Sequence, residues 1–85
     1  GGGSVRAHLG NYQVGELRFF IELDTGGAPN EEINIWLDNE IIRSVKETPH
    51  RVLQIRVKNI CRAYAREQGV PYSTLKNGRW EEGED

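Results

Sequence analysis

The apolar residues of this chain fall into two periodicities. Val5, Ala7 and Leu9 alternate with Arg6 and His8 and then meet Gly10-Asn11, a pair that predicts a two-residue hairpin turn. After Tyr12 and Val14, the run Glu16–Leu23 places Leu17, Phe19, Ile21 and Leu23 on one face at period two, which predicts a strand with Phe20 on its opposite face. Asp24-Thr-Gly-Gly-Ala-Pro-Asn30 reads as a loop. Ile33, Ile35 and Leu37 then alternate with Asn34, Trp36 and Asp38 in a further short strand, leaving Trp36 on the outward side.

The period changes to that of a helix over about residues 48–68. Thr48 suits the cap, Pro49 the first helical position, and Gly69 followed by Pro71 the stop. Leu53, Val57, Ile60, Cys61 and Tyr64 share one side of this helix, and Arg51, Lys58, Arg62 and Arg66 form a basic stripe opposite. From Val70 to Trp80 the chain reads as extended or turn-like, with Asn77-Gly78 available for a small hairpin. Residues 39–47 admit two readings. As a helix, Asp38 caps and Ile41, Ile42 and Val45 point inward. As a strand, Asp38-Asn39 forms a turn and the β-branched residues alternate. The expected fold class is therefore α+β, with short antiparallel strands, one long amphipathic helix, and residues 39–47 open between helix and strand.

Length and composition narrow the functional field. Eighty-five residues suit one small domain, expected over 5–80 between a Gly1-Gly2-Gly3-Ser4 linker and an acidic tail at 81–85. A domain of this size buries only roughly 60% of its unfolded surface. The single Cys61 leaves no internal disulfide framework, which points to a reducing, cytoplasmic setting. No apolar run approaches a membrane span, and the glycine-rich start is unlike a signal peptide.

The net charge of −2 conceals a strong asymmetry. Residues 1–42 carry −5, residues 43–79 carry +7 through nine basic side chains against Glu47 and Glu67, and residues 80–85 carry −4. A basic middle between acidic flanks suggests an anionic partner, nucleic acid first. The alternative is a set of solvated faces whose charges pair within the fold.

Candidate chemistry is sparse. His8 and His50 have no cysteine or histidine cluster around them, so neither a metal nor another cofactor is expected. Cys61, on the apolar helix face, reads as a small core residue. Ser4, Ser44 and Ser73 lack a nucleophile-elbow context, and Glu31-Glu32 point to opposite faces of an extended segment. Asp24-Thr25-Gly26 matches the triplet of aspartic proteases, but a lone copy followed by Pro29-Asn-Glu-Glu reads as a turn. With no nucleophile set beside a base, the chain is not expected to be an enzyme.

Ile33-Asn-Ile-Trp-Leu-Asp38 and Gln54-Ile-Arg-Val-Lys-Asn-Ile-Cys-Arg-Ala-Tyr64 together resemble the ribbon-helix-helix repressors, in particular the CopG-like and BrnA-like antitoxins, over residues 32–67. The resemblance implies a strand, a short helix over 39–47 and a longer second helix. It also implies a homodimer whose shared core holds Ile33, Ile35, Leu37, Ile41, Val45, Val57 and Ile60. It further implies a DNA-binding transcription regulator whose outward strand residues enter the major groove. Asn34 would then read bases, since its neighbours Glu32 and Trp36 lack that chemistry. Arg43, Lys46, Arg51 and Arg56 would neutralise phosphate, with the helix start near Thr48, His50 and Arg51 offering backbone amides. The competing expectation is a protein-interaction or inhibitor module: an antiparallel sheet packed on one helix, presenting Phe20 and Trp36, or an acidic edge, to a protein partner.

Overall fold

The computed structural model describes residues 6–24, 32–46 and 50–83, with the side chains of His50 and Arg51 not among the described groups. The expected linker at Gly1–Ser4, Val5, the expected loop over 25–30, Glu31, Glu47, the expected cap at Thr48-Pro49 and residues 84–85 lie outside these residues. In chain order the elements are β1 (Arg6–Val14), β2 (Leu17–Asp24), β3 (Glu32–Leu37), β4 (Glu40–Lys46), α1 (His50–Glu67), α2 (Tyr72–Leu75) and β5 (Arg79–Glu82). The strands form one antiparallel sheet in the order β4-β3-β2-β1-β5, and the fold class is α+β.

The first four strands are a meander because each connection described is a tight turn. Gly15-Glu16 joins β1 to β2, with Gly15 at φ 61° and Val14 opposite Leu17. Asp38 and Asn39, at φ 51° and 67°, join β3 to β4. Two successive left-handed residues define the type I′ hairpin turn, whose twist matches that of the strands, and Asp and Asn tolerate this conformation better than most residues. This resolves residues 40–46 as strand. Their β-branched side chains pair with β3, whereas the ribbon-helix-helix resemblance implies a helix over the same segment.

Gly10-Asn11 is not a turn. Both residues lie inside β1, next to a register shift between His8 and Gly10. Gly10 is required there by a close approach: a Cβ at this position would sit 2.5 Å from the Glu81 carbonyl oxygen and 2.6 Å from the Trp80 ring. The segment Val70–Trp80 also differs from expectation, since it contains α2 and then enters β5. Glu81 and Glu82 accordingly belong to the sheet and not to a separate tail.

One face of the sheet carries Tyr12, Val14, Phe19, Ile21, Ile33, Ile35, Leu37 and Val45, and all are buried. Helix α1 covers it with Val57, Cys61 and Ala65, one stripe at i, i+4 spacing that is fully buried. Tyr64 meets Phe19 edge to face at 6.0 Å, and Leu75 of α2 completes the core. Five residues that the resemblance assigned to a dimer core thus lie in the core of one chain. Ile60 is only partly buried and Ile41 lies on the opposite sheet face. Helix α1 ends as its sequence predicts. Gly69, at φ 93°, donates to the Arg66 carbonyl, and Val70 donates to that of Ala65, the pairing of a Schellman cap.

Candidate functional site: the open face of the sheet

No described element covers the sheet face opposite α1. Its side chains follow from the strand register as parallel rows running across the strands. At one end lie Arg6, Asp24, Glu32 and Lys46, then His8, Glu22, Asn34 and Ser44. The next row is Glu81, Asn11, Phe20, Trp36 and Ile41, followed by Arg79, Gln13 and Arg18.

The third row is apolar at its centre. Phe20 and Trp36 are direct cross-strand partners, and Trp36 is paired in turn with Ile41. Phe20 is 39% and Ile41 48% exposed on either side of Trp36, unusual for large apolar side chains so close together. His8 stacks on Phe20 with ring centroids 4.1 Å apart and planes 2° from parallel. Three apolar side chains and the His8 imidazole, from four strands, thus form one continuous strip.

The second row fixes this strip in place. Glu22 Oε1 accepts hydrogen bonds from Asn34 Nδ2 and from the Trp36 indole Nε1, both at 3.3 Å. Asn34 Oδ1 accepts from Ser44 Oγ at 2.8 Å. Satisfied on both ends of its amide, Asn34 is only 6% exposed on a face otherwise open. Asn34, the expected base reader, thus spends one amide N–H and one lone pair of its carbonyl oxygen inside the sheet. Across the face basic and acidic side chains balance, with an ion pair between Arg6 and Asp24 at 3.6 Å and another between Arg18 and Glu81 at 3.4 Å.

Of the remaining expected site residues, Arg43 and Arg56 meet and Lys46 does not join them. Arg43 stands opposite Ile35 on the helix side of β4, where it and Arg56 line a cleft beside Ile60 and Glu67. Lys46 is on the other face, paired with Glu32. His50 and Arg51 open α1, and their side chains lie outside the described groups. The proposed phosphate contacts are therefore divided between two faces. Phe20 and Trp36, by contrast, are neighbours as the competing reading requires.

Sequence reasoning missed His8, Glu22 and Ile41 as members of this surface. Simple alternation from Val5 does reveal that His8 and Phe20 lie off the core-facing side, but the register shift before Gly10 hides their proximity. Ile41 becomes an open-face residue only once 40–46 is a strand.

Cys61 is fully buried under α1, where desolvation pushes its thiol up to about 12. Among the described residues no three of His, Cys, Asp and Glu gather closely enough to hold a metal ion, and no helix is long and apolar enough to cross a membrane. No family model matches the sequence, and neither curated proteins nor solved structures return a match.

Proposed function

We propose that this chain is a non-catalytic protein-interaction module that docks its partner on the open sheet face. The observation that carries this reading is the strip in which exposed Phe20 and Ile41 flank half-buried Trp36, with His8 stacked on Phe20. Aromatic side chains dominate the centres of protein interfaces, and Trp36, held by its hydrogen bond to Glu22, loses little freedom on binding. Glu22, bonded to the Trp36 indole, sets a carboxylate against the strip and disfavours a phosphate backbone over the aromatics. With acidic and basic side chains in balance around it, the strip favours a partner with an apolar centre and a rim of mixed charge. Insertion of β3 into a DNA major groove is the weaker reading, because Asn34 is sequestered and β4 stands where a first helix would lie.

A photo-crosslinking amino acid at Ile41 tests the proposal, with the same group at the exposed helix position Ile55 as the control face. In extracts of the source cells, the Ile41 probe is expected to give a discrete protein adduct that Trp36→Ala abolishes. The Ile55 probe should not give that adduct. Adducts of equal yield from both positions, or none from Ile41, would remove the reading. An adduct with a second copy of this chain would replace the partner by self-association.

A further inference from the structure

The helix layer differs in charge from the sheet face. Arg62 and Arg66 of α1 and Lys76 after α2 line a groove of about 520 Å3, together with Ala63, Val70, Tyr72 and Leu75. No described acidic side chain lines it. Its volume lies within the roughly 300–1,000 Å3 typical of ligand sites.

Three features make this groove more than a solvated basic face. Arg62 Nε donates to the Tyr12 hydroxyl at 3.2 Å, so a tyrosine buried in the sheet core anchors the guanidinium in the groove wall. That bond uses one of five guanidinium N–H donors. Tyr72 is 77% exposed, so its ring contributes little to the core and stands free beside the cations. The carbonyls of Tyr64, Ala65 and Arg66 at the end of α1 accept bonds from Gln68, Gly69 and Val70, which blunts the negative pole of the helix toward an anion.

Cations along a recess, an apolar floor and an exposed aromatic ring are the parts from which single-strand grooves are built. We propose that this groove binds a nucleotide unit of single-stranded nucleic acid, its phosphate held by Arg62, Arg66 and Lys76 and its base stacked on Tyr72. An acidic peptide would use the same cations but has no need of the ring. A duplex keeps its bases stacked internally and would also leave Tyr72 unused. The groove and the aromatic strip are on opposite sides of the sheet, so this inference does not depend on the docking surface.

The test is fluorescence anisotropy of the full chain with a labelled oligothymidylate of about 12 nucleotides at about 50 mM salt. A duplex of equal length and an oligoglutamate peptide serve as competitors. The single strand is expected to bind with log K falling against log salt at about 0.7 per phosphate engaged. With one phosphate in the groove, Arg66→Ala with Lys76→Ala should lower that slope by up to about 0.7. Tyr72→Ala should weaken binding about tenfold while Tyr72→Phe retains it, the signature of a stacked base. These three residues are exposed, and unchanged circular dichroism would show that the variants fold. Phe20→Ser should leave the oligonucleotide affinity unchanged. Three results would overturn the proposal: affinity weaker than millimolar, binding indifferent to the groove variants, or displacement by oligoglutamate with Tyr72→Ala silent.

Discussion

Replacing Gly10 by Ala should detach β5 from the sheet. The added Cβ would meet the Glu81 carbonyl oxygen at 2.5 Å and two atoms of the Trp80 ring at 2.6 and 2.8 Å, where ordinary contact begins near 3.4 Å. Rotation of the indole cannot relieve the clash with a backbone carbonyl, so the strand itself must move. The pairs Gly10↔Glu82, Asn11↔Glu81 and Tyr12↔Trp80 all lie at this point, and Gly83 N–H donates to the Leu9 carbonyl at 3.0 Å just beyond it. Overpacking costs about 1–3 kcal/mol and each lost hydrogen bond about 1 kcal/mol, giving about 2–4 kcal/mol for this variant. Against a domain stability on the order of 5–15 kcal/mol, that is a large fraction. Urea denaturation gives the total loss, and amide hydrogen exchange locates it. Protection should vanish first at Glu81, Glu82 and Gly83 while Phe19, Ile21 and Ile35 exchange only on global unfolding. A loss under about 0.5 kcal/mol with β5 protection intact would show that Gly10 is not a packing requirement.

Other perturbations separate backbone, polar and titration effects. Gly69→Ala meets no atom within 4 Å at φ 93°, so its cost of about 1–2 kcal/mol in urea melts should be backbone strain alone. Glu22→Ala removes the shared acceptor of Asn34 and Trp36 and should cost about 1–3 kcal/mol, with Glu22→Gln recovering most of it because an amide oxygen still accepts. Equal losses for the two Glu22 variants would show that charge, not the acceptor, matters. Burial raises the Cys61 thiol from 9.0 to about 12. The native chain therefore holds its proton where the unfolded chain has released it. Stability is full below pH 9 and falls as pH rises toward 12, by up to about 4 kcal/mol. Urea midpoints followed across that range should drop more steeply for the wild type than for Cys61→Ala, and parallel curves would refute the linkage.

The elements legible in the sequence are those whose signals are local. The alternation of Leu17, Phe19, Ile21 and Leu23 marks β2, and Gly69 with Pro71 marks the end of α1, because each signal acts within a few residues. Residues 40–46 were undecidable on propensity, since Ile41 and Val45 at i, i+4 serve a helix as well as a strand. The left-handed pair Asp38-Asn39 and pairing with β3 settle the matter, and the second of these is tertiary. Gly10-Asn11 carries a genuine turn signal, yet Gly10 answers to Trp80 near the opposite end of the chain. Strand β5 escaped notice for the same reason, as its four residues are extended through their pairing with β1. In the site, Phe20 and Trp36 stood out by lying off the apolar faces of their strands. The role of Glu22 in fixing Trp36 and Asn34 depends on a cross-strand register that no local pattern specifies.

The sheet terminates in β4 on one side and β5 on the other. Strand β4 is irregular opposite Ile35 and Trp36 and carries Glu40, Arg43 and Lys46, while β5 is only four residues long and carries Arg79, Glu81 and Glu82. Short, bulged and charged borders of this kind discourage strand addition, and with it amyloid-like stacking of copies. A binder that recruits through main-chain pairing tolerates wide variation in its target sequence. A binder confined to the flat of its sheet reads side chains, so changes at Phe20, Trp36 or Ile41 could redirect recognition while leaving the scaffold untouched.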